Sequence, residues 1–127
     1  MRIATWNLDH ASNSKRPIDL QVHQIQAIKP DILVLTETCK EVEFALHGFT
    51  AYSSKQNEYG KFYSAIYLGP SVRFQKQLKT YDETTATCLQ VNTPLGEMII
   101  YGTIIAYHGY KGPNNDSPAW AEHYKAI

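Results

Sequence analysis

The sequence lacks any long apolar run. Crossing a bilayer as a helix takes ~20 consecutive apolar residues, and no stretch of this chain approaches that. It opens without a basic segment followed by an apolar block, so no secretory leader is read there. Cysteine is scarce. Cys39 and Cys88 are the only two, too few for a disulfide framework and too far apart for a paired zinc motif. A surplus of either charge is missing too, with 12 Lys and Arg against 12 Asp and Glu. A neutral balance supplies no general attraction to nucleic acid or to an anionic membrane, although it is compatible with a local basic patch. These absences set the expectation of a reduced, cytoplasmic setting with no membrane partner. Repeats, linkers and low-complexity tracts are also missing. What remains is a chain of 127 residues, 43% hydrophobic and 12% aromatic, read as a single domain over 1–127 with enough apolar surface for a core.

The first stretch, "RIATWNL", reads as a strand. A period of two puts Ile3, Thr5, Asn7 and Asp9 on one face and Ala4, Trp6 and Leu8 on the other. "RPIDLQVHQIQAIKP" reads as a helix: Pro17 suits its first turn, Asp19 its positive end, and Lys29 with Pro30 its stop. Ile18, Val22, Ile25 and Ile28 form its apolar stripe. "DILVLTE" is short, apolar and β-rich, as a strand covered on both faces would be. Strand, helix, strand in that order is a central-sheet unit, with parallel pairing left open by the order alone. "EVEFALHG" reads as a brief helix stopped by Gly48. Beyond it, "FTAYS", "FYSAIYLG", "VRFQKQLKTY", "TATCLQVNT" and "GEMIIYGTIIA" read as successive strands. In the third of these, Val72, Phe74 and Leu78 alternate with Arg73, Gln75, Gln77 and Lys79, which predicts one wet face. Thr93 to Gly96 predicts a hairpin. "KQNEYGK" and "GYKGPNNDSP" read as polar loops. Ser117 and Pro118 open a last helix pattern.

Both apolar strands end in polar side chains, and in open sheets ligands gather beyond such C-terminal ends. Asn7 and Asp9 project together from the first, and Glu37 reaches the same place if the strands are neighbours. Two carboxylates and an amide oxygen are hard donors, suited to Mg²⁺ or Mn²⁺, and Mg²⁺ needs only one or two carboxylates. A divalent ion there polarises a phosphate and stabilises charge on a leaving oxygen. The competing reading is ordinary turn chemistry, for which Asp and Asn at strand ends are common.

"IATWNLDH", a helix, and then "PDILVLTET" resemble the opening of the endonuclease/exonuclease/phosphatase family. Residue types, order and spacing agree together. "GKFYSAIYLG" is similar to that family's third block and "GEMIIYGTIIAYHGYKGP" to its fourth, so the resemblance runs over essentially the whole chain. It implies an α/β fold: half of a four-layer αββα sandwich, with a mixed or antiparallel sheet and flanking helices. It implies metal-dependent hydrolysis of a phosphodiester or phosphomonoester, with a metal on the phosphate and an in-line attack by water. Glu37 matches the family's metal-binding glutamate. Asn7 matches its strand-end asparagine, which helps hold the site and is read both as catalytic and as a metal ligand, and Asp9 an additional metal-site aspartate. The family's His or Tyr after the fourth block's strand falls here on Thr103 or Ile104, with Tyr107 and His108 a few residues on. His108 is the catalytic candidate from that loop.

The family's later "G-D-x-N" and closing "D-H" blocks have no counterpart, and Asn114, Asn115 and Asp116 do not replace them. The resemblance therefore implies the N-terminal half of the fold, lacking the groups that orient the attacking water. Half a sandwich is expected to expose an apolar sheet face, which is costly in water. A homodimer through that face is the corresponding expectation. The alternative function is a non-catalytic binding or dimerisation module that keeps half the fold. The substrate expected of the catalytic reading is a phosphate ester, nucleic acid among the choices. Elsewhere the ordinary reading is preferred. Trp6 belongs to the core, Lys55 and Lys61 to a solvated loop, and Arg73 and Lys79 to a wet strand face. Cys39 is a packed thiol, Tyr59, Tyr107 and Tyr110 are loop tyrosines, and Trp120 and His123 lie on a helix packing face.

Overall fold

The computed structural model describes residues 1–9, 17–57 and 59–104. The loop carrying Tyr107, His108, Tyr110 and residues 114–116, and the last helix pattern with Trp120 and His123, lie outside the described residues. In chain order the elements are β1 (Ile3–Asn7), α1 (Ile18–Ile28), β2 (Ile32–Thr38), α2 (Lys40–Ala45), β3 (Thr50–Ser53), β4 (Phe62–Leu68), β5 (Arg73–Leu78), β6 (Ala86–Thr93) and β7 (Gly96–Thr103). None of the helices described is long and apolar enough to cross a membrane.

The strands form a four-stranded sheet in the order β1-β2-β4-β3 and a three-stranded sheet in the order β5-β6-β7. The first is mixed. β1 runs parallel to β2, with Ile3 opposite Ile32 and Asn7 opposite Thr36. β4 runs antiparallel to both β2 and β3. The second sheet is antiparallel throughout. Its hairpin closes at Thr93 and Gly96, where Gly96 takes φ +113° and the Thr93 hydroxyl donates to the Gly96 carbonyl at 2.9 Å. Glycine is required at that φ because a Cβ would clash with the backbone.

β2 and β4 are apolar on both faces because both faces are covered. Leu33, Leu35, Ala65 and Tyr67 meet Ile18, Val22 and Ile25 of α1, and Val42 of α2, in one buried cluster. Ile32, Ile66 and Leu68 on the opposite face meet Leu89, Val91 and Ile100 of the second sheet in another. The layers are therefore helix, sheet, sheet, an α/β architecture with the two sheets packed face to face. Burial pushes the Tyr67 phenol above its ordinary range. At Gly102 of β7 the sheets approach closely: a Cβ there would lie 2.8 Å from Val34 Cγ1 and 2.9 Å from Ser64 Oγ. Beside it the Ser64 hydroxyl donates to the Gly102 carbonyl at 2.8 Å, and the Thr87 hydroxyl donates to the Ser64 carbonyl at 3.1 Å. These bonds satisfy polar groups that burial would otherwise penalise.

The structure corrects the expected bare sheet face. The inner faces of both sheets cover each other within this one chain. Among the described residues β3, β5 and β7 are sheet edges, and so is β1. There Ile3 is 53% exposed although it shares a face with the inter-sheet core. Two smaller expectations are also corrected. Ile28 is exposed, since α1 ends there and Lys29 turns left-handed with φ 50°. β5 shows no clean alternation: its register shifts between Phe74 and Lys76, and Phe74 is 40% exposed. A bulge reverses the faces of the residues that follow it. The Phe74 ring stacks on Tyr52 of β3, with centroids 4.3 Å apart.

The start of β1 is tied down electrostatically. The Asp31 carboxylate accepts the Ser71 hydroxyl at 2.6 Å and the Arg2 backbone N–H at 2.7 Å, and those bonds hold its pKa below the ordinary carboxylate value. The Arg2 guanidinium donates to the Ile28 carbonyl at 3.0 Å, linking the β1 entry to the end of α1.

Candidate active site

Parallel pairing brings the C-terminal ends of β1 and β2 together. Asn7 is the last residue of β1 and stands opposite Thr36, so Glu37 is one position beyond Asn7's partner. The pairing continues past the strand, as the Leu8 N–H donates to the Thr36 carbonyl at 2.9 Å. The Leu8 side chain is fully buried in the helical-side core and anchors the chain there. Asn7 and Asp9 are exposed, and Glu37 is half-buried.

Alternation accounts for Ile3, Thr5 and Asn7 but does not extend to Asp9. The chain turns after Asn7: the Asp9 N–H donates to Asn7 Oδ1 at 2.7 Å, and Asp9 takes φ 50°. This is an Asx turn, in which the side chain imitates a backbone acceptor. Asp9 thus stays near Asn7 through a local turn. Glu37 is equally irregular. The β2–β4 register pairs Thr36 with Ser64 and Thr38 with Phe62, and between them Glu37 takes φ 54°.

Among the described residues three non-glycine positions have positive φ: Asp9, Lys29 and Glu37. Lys29 closes α1, where a left-handed residue is ordinary. The other two are the two candidate carboxylates. A left-handed conformation costs a non-glycine residue roughly 1–2 kcal/mol, and such strain gathers at functional sites. Strict alternation concealed this signal. No sequence pattern marks a glutamate inside a strand as left-handed.

The donor set suits a hard divalent cation. Glu37 and Asp9 offer carboxylate oxygens, and Mg²⁺ binds through one or two carboxylates while keeping several waters. Among the described residues no three His, Cys, Asp or Glu side chains form a metal-holding group, so a cation here would depend on these two carboxylates, Asn7 and water. Cys39, two residues on, is buried at the entry to α2, and burial pushes its thiol pKa up. That is the packed thiol expected from the sequence, because a reactive cysteine needs a stabilised thiolate. Cys88 is likewise buried with a raised pKa.

The same end of the sandwich holds a polar cleft of about 250 Å³ lined by Ser53, Lys55, Gln77, Lys79, Thr80 and Glu83. Lys55 is engaged there by Glu83 at 2.7 Å, which raises the lysine pKa and lowers the glutamate's. Both partners are largely exposed, so the pair adds little to stability. Arg73 and Lys79 are exposed, as read from the sequence, and Tyr59 is 75% exposed. Trp6 is half-buried against the helical-side core. In the 55–61 loop, Asn57 Oδ1 accepts the N–H groups of Tyr59 and Lys61 at 2.9 and 3.0 Å. That loop is internally bonded.

No protein-family model matches the sequence, and no curated protein does. Solved structures do match the fold. D. rerio TDP2, complexed with a single-strand DNA product, is 15% identical with a TM-score of 0.75, over 97% of this chain and 51% of that one. The endonuclease domain of TRAS1, a telomere-specific non-LTR retrotransposon, is 13% identical with a TM-score of 0.69, over 99% and 53%. Truncated Caenorhabditis elegans TDP2 is 17% identical with a TM-score of 0.65, over 84% and 47%. The chain therefore carries part of the fold that these structures share. It spans about half the length of the structures it matches.

Proposed function

We propose that this chain carries one side of a divalent-metal phosphoesterase site at the joined ends of β1 and β2. The observation that carries the reading is the parallel register that sets Asn7 beside Thr36 and Glu37, with both candidate carboxylates held in the left-handed conformation. Glu37 is the principal ligand for Mg²⁺ or Mn²⁺, and Asp9 is the assisting one. A bound ion supplies charge neutralisation for a phosphoryl group and for the leaving oxygen. The chain's own groups then bind and orient. Asn7 fixes the position of the phosphate relative to the carboxylates, and His108, beyond the described residues, is the proposed loop contact to it. Nucleic acid is the substrate class favoured here, because the structures with this fold include an endonuclease domain and a TDP2 holding a DNA product.

Glu37→Gln tests the assignment. It keeps the size of the side chain while removing the charge and exchanging one acceptor oxygen for a donor NH₂. Calorimetric titration with Mg²⁺ should give a heat of binding for the unaltered chain and none for the variant. Equal affinities would reject Glu37 as the ligand.

A second reading rests on β1, an edge strand among the described residues, and on the exposed Ile3. An unpaired edge strand beside exposed apolar surface is a pairing surface for another chain. On that reading the chain forms a homodimer through β1 as a non-catalytic module. Light scattering should then report twice the 14.4 kDa chain mass, and Thr5→Pro, which removes an edge donor, should return it to the monomer. A monomer at all concentrations would reject the dimer.

A further inference from the structure

We infer that the polar cleft between the ends of β3 and β5 is a phosphate-binding site, in which the Lys79 ammonium and the Thr80 hydroxyl hold the anion. The inference goes beyond the metal site and does not depend on it. Ser53 closes β3, Gln77 and Leu78 close β5, and Ala86 opens β6, so both sheets contribute to the cleft wall. β4 stands between β3 and β2 in the first sheet, so none of these groups belongs to the strand ends that carry Asn7 and Glu37. A water takes about 30 Å³ in the liquid, and a cleft of about 250 Å³ therefore has room for a phosphate group and several waters.

The lining is rich in donors and poor in acceptors. Lys55, Lys79, Ser53, Thr80 and Gln77 all bring N–H or O–H groups. The one carboxylate, Glu83, is engaged by Lys55 at 2.7 Å. Lys79 makes no ion pair among the described residues, so two ammonium groups stand against one carboxylate and leave a positive balance. Thr80 is 8% exposed, and its hydroxyl oxygen is buried with no hydrogen-bond partner. Buried polar groups are nearly always bonded, and rotation about χ1 alone redirects this one. A phosphate presents at least three acceptor oxygens, enough for an ammonium, a hydroxyl and an amide at once, where a carboxylate presents two. The backbone around the cleft is already fixed. The Lys55 N–H donates to the Glu83 carbonyl at 2.7 Å, which ties the end of β3 to the 79–85 loop. The Asp82 carboxylate accepts the Thr84 N–H and the Thr85 hydroxyl, each at 2.9 Å, and closes that loop on itself. A framework ordered in advance loses little freedom on binding.

Inorganic phosphate, titrated in EDTA with no divalent cation and followed by ³¹P line broadening, tests the site. The unaltered chain should show saturable binding. Lys79→Ala and Thr80→Val should each weaken it about 10-fold, the order expected for losing a hydrogen bond to a charged group. Thr80→Val keeps the branched Cβ and removes a hydroxyl that is unpaired without ligand, so thermal unfolding in the absence of phosphate should not fall, which separates lost binding from a lost fold. Adding a short single-stranded DNA identifies the source of the phosphate. Displacement of the bound ion assigns the site to a nucleic-acid backbone, and no displacement assigns it to free phosphate or a small ester. Absence of saturable binding by the unaltered chain would overturn the inference. So would a loss confined to Lys79→Ala, which would mean an adventitious ion only, resting on a surface lysine. No divalent ion is present in any arm, so these outcomes are independent of whether Glu37 binds Mg²⁺.

Discussion

Ile66→Ala should lower the free energy of unfolding by about 2–5 kcal/mol, the range for emptying a large aliphatic side chain from a packed core. Ile66 is completely buried on β4, where the two sheets meet, among Leu68, Leu89, Val91 and Ile100. A domain's whole stability is about 5–15 kcal/mol, so this one substitution should remove a large share of it. Phe74→Ala is the internal comparison. Phe74 lies on an outer strand, 40% exposed and stacked on Tyr52, and an aromatic pair of that kind contributes about 0.5–1.5 kcal/mol beyond burial. Urea unfolding of the two variants should show Ile66→Ala shifted much further toward low denaturant at unchanged slope. Equal shifts would mean that the sheets do not pack on each other as described. A single sheet with a bare face would lose little on truncating Ile66, so the measurement also decides between the observed sandwich and the exposed face expected from half a fold.

The second large effect separates stability from binding at one position. Glu37→Gly should abolish Mg²⁺ binding while leaving the fold as stable as before or more so. Glycine removes the roughly 1–3 kcal/mol cost of a non-glycine residue in a sparsely populated backbone region, offset in part by about 0.5–1 kcal/mol of extra freedom in the unfolded chain. Glu37→Val should also abolish Mg²⁺ binding but should destabilise, because a branched Cβ tolerates φ 54° worse than glutamate does. Thermal unfolding of the pair, with Mg²⁺ calorimetry on each, checks both halves. If glycine at 37 were the less stable variant, the left-handed conformation of Glu37 would not be a source of strain.

These expectations draw on features of very different legibility. The strand–helix–strand opening could be read because each element writes a local period into the sequence. Ile18, Val22 and Ile25 fall on one side of a helix, and "ILVL" is apolar without interruption because both of its faces are covered. The Thr93–Gly96 hairpin was equally readable, since it depends on residues next to one another. Asn7 and Glu37 stood out as polar groups closing apolar strands, which is again a local signal.

The alternation in "VRFQKQLKTY" misled, because a bulge between Phe74 and Lys76 shifts the register and the partner strand decides where a bulge falls. The exposed sheet face misled for a related reason. Composition does not tell whether apolar strands form one sheet or two sheets that cover each other. Asp9 was placed on the Asn7 face by counting in twos, whereas the chain had already left the strand and turned.

From its order of residues alone this chain determined where strands and helices form and which strand ends carry oxygen donors, because those properties depend on neighbours a few positions apart. Only the tertiary structure decided that β1 and β2 lie side by side and parallel, that two partial sheets cover each other, and that Asp9 and Glu37 adopt left-handed backbones. Each of these is set by contacts between residues far apart in sequence, and the free energy that selects them exists only once those residues have met.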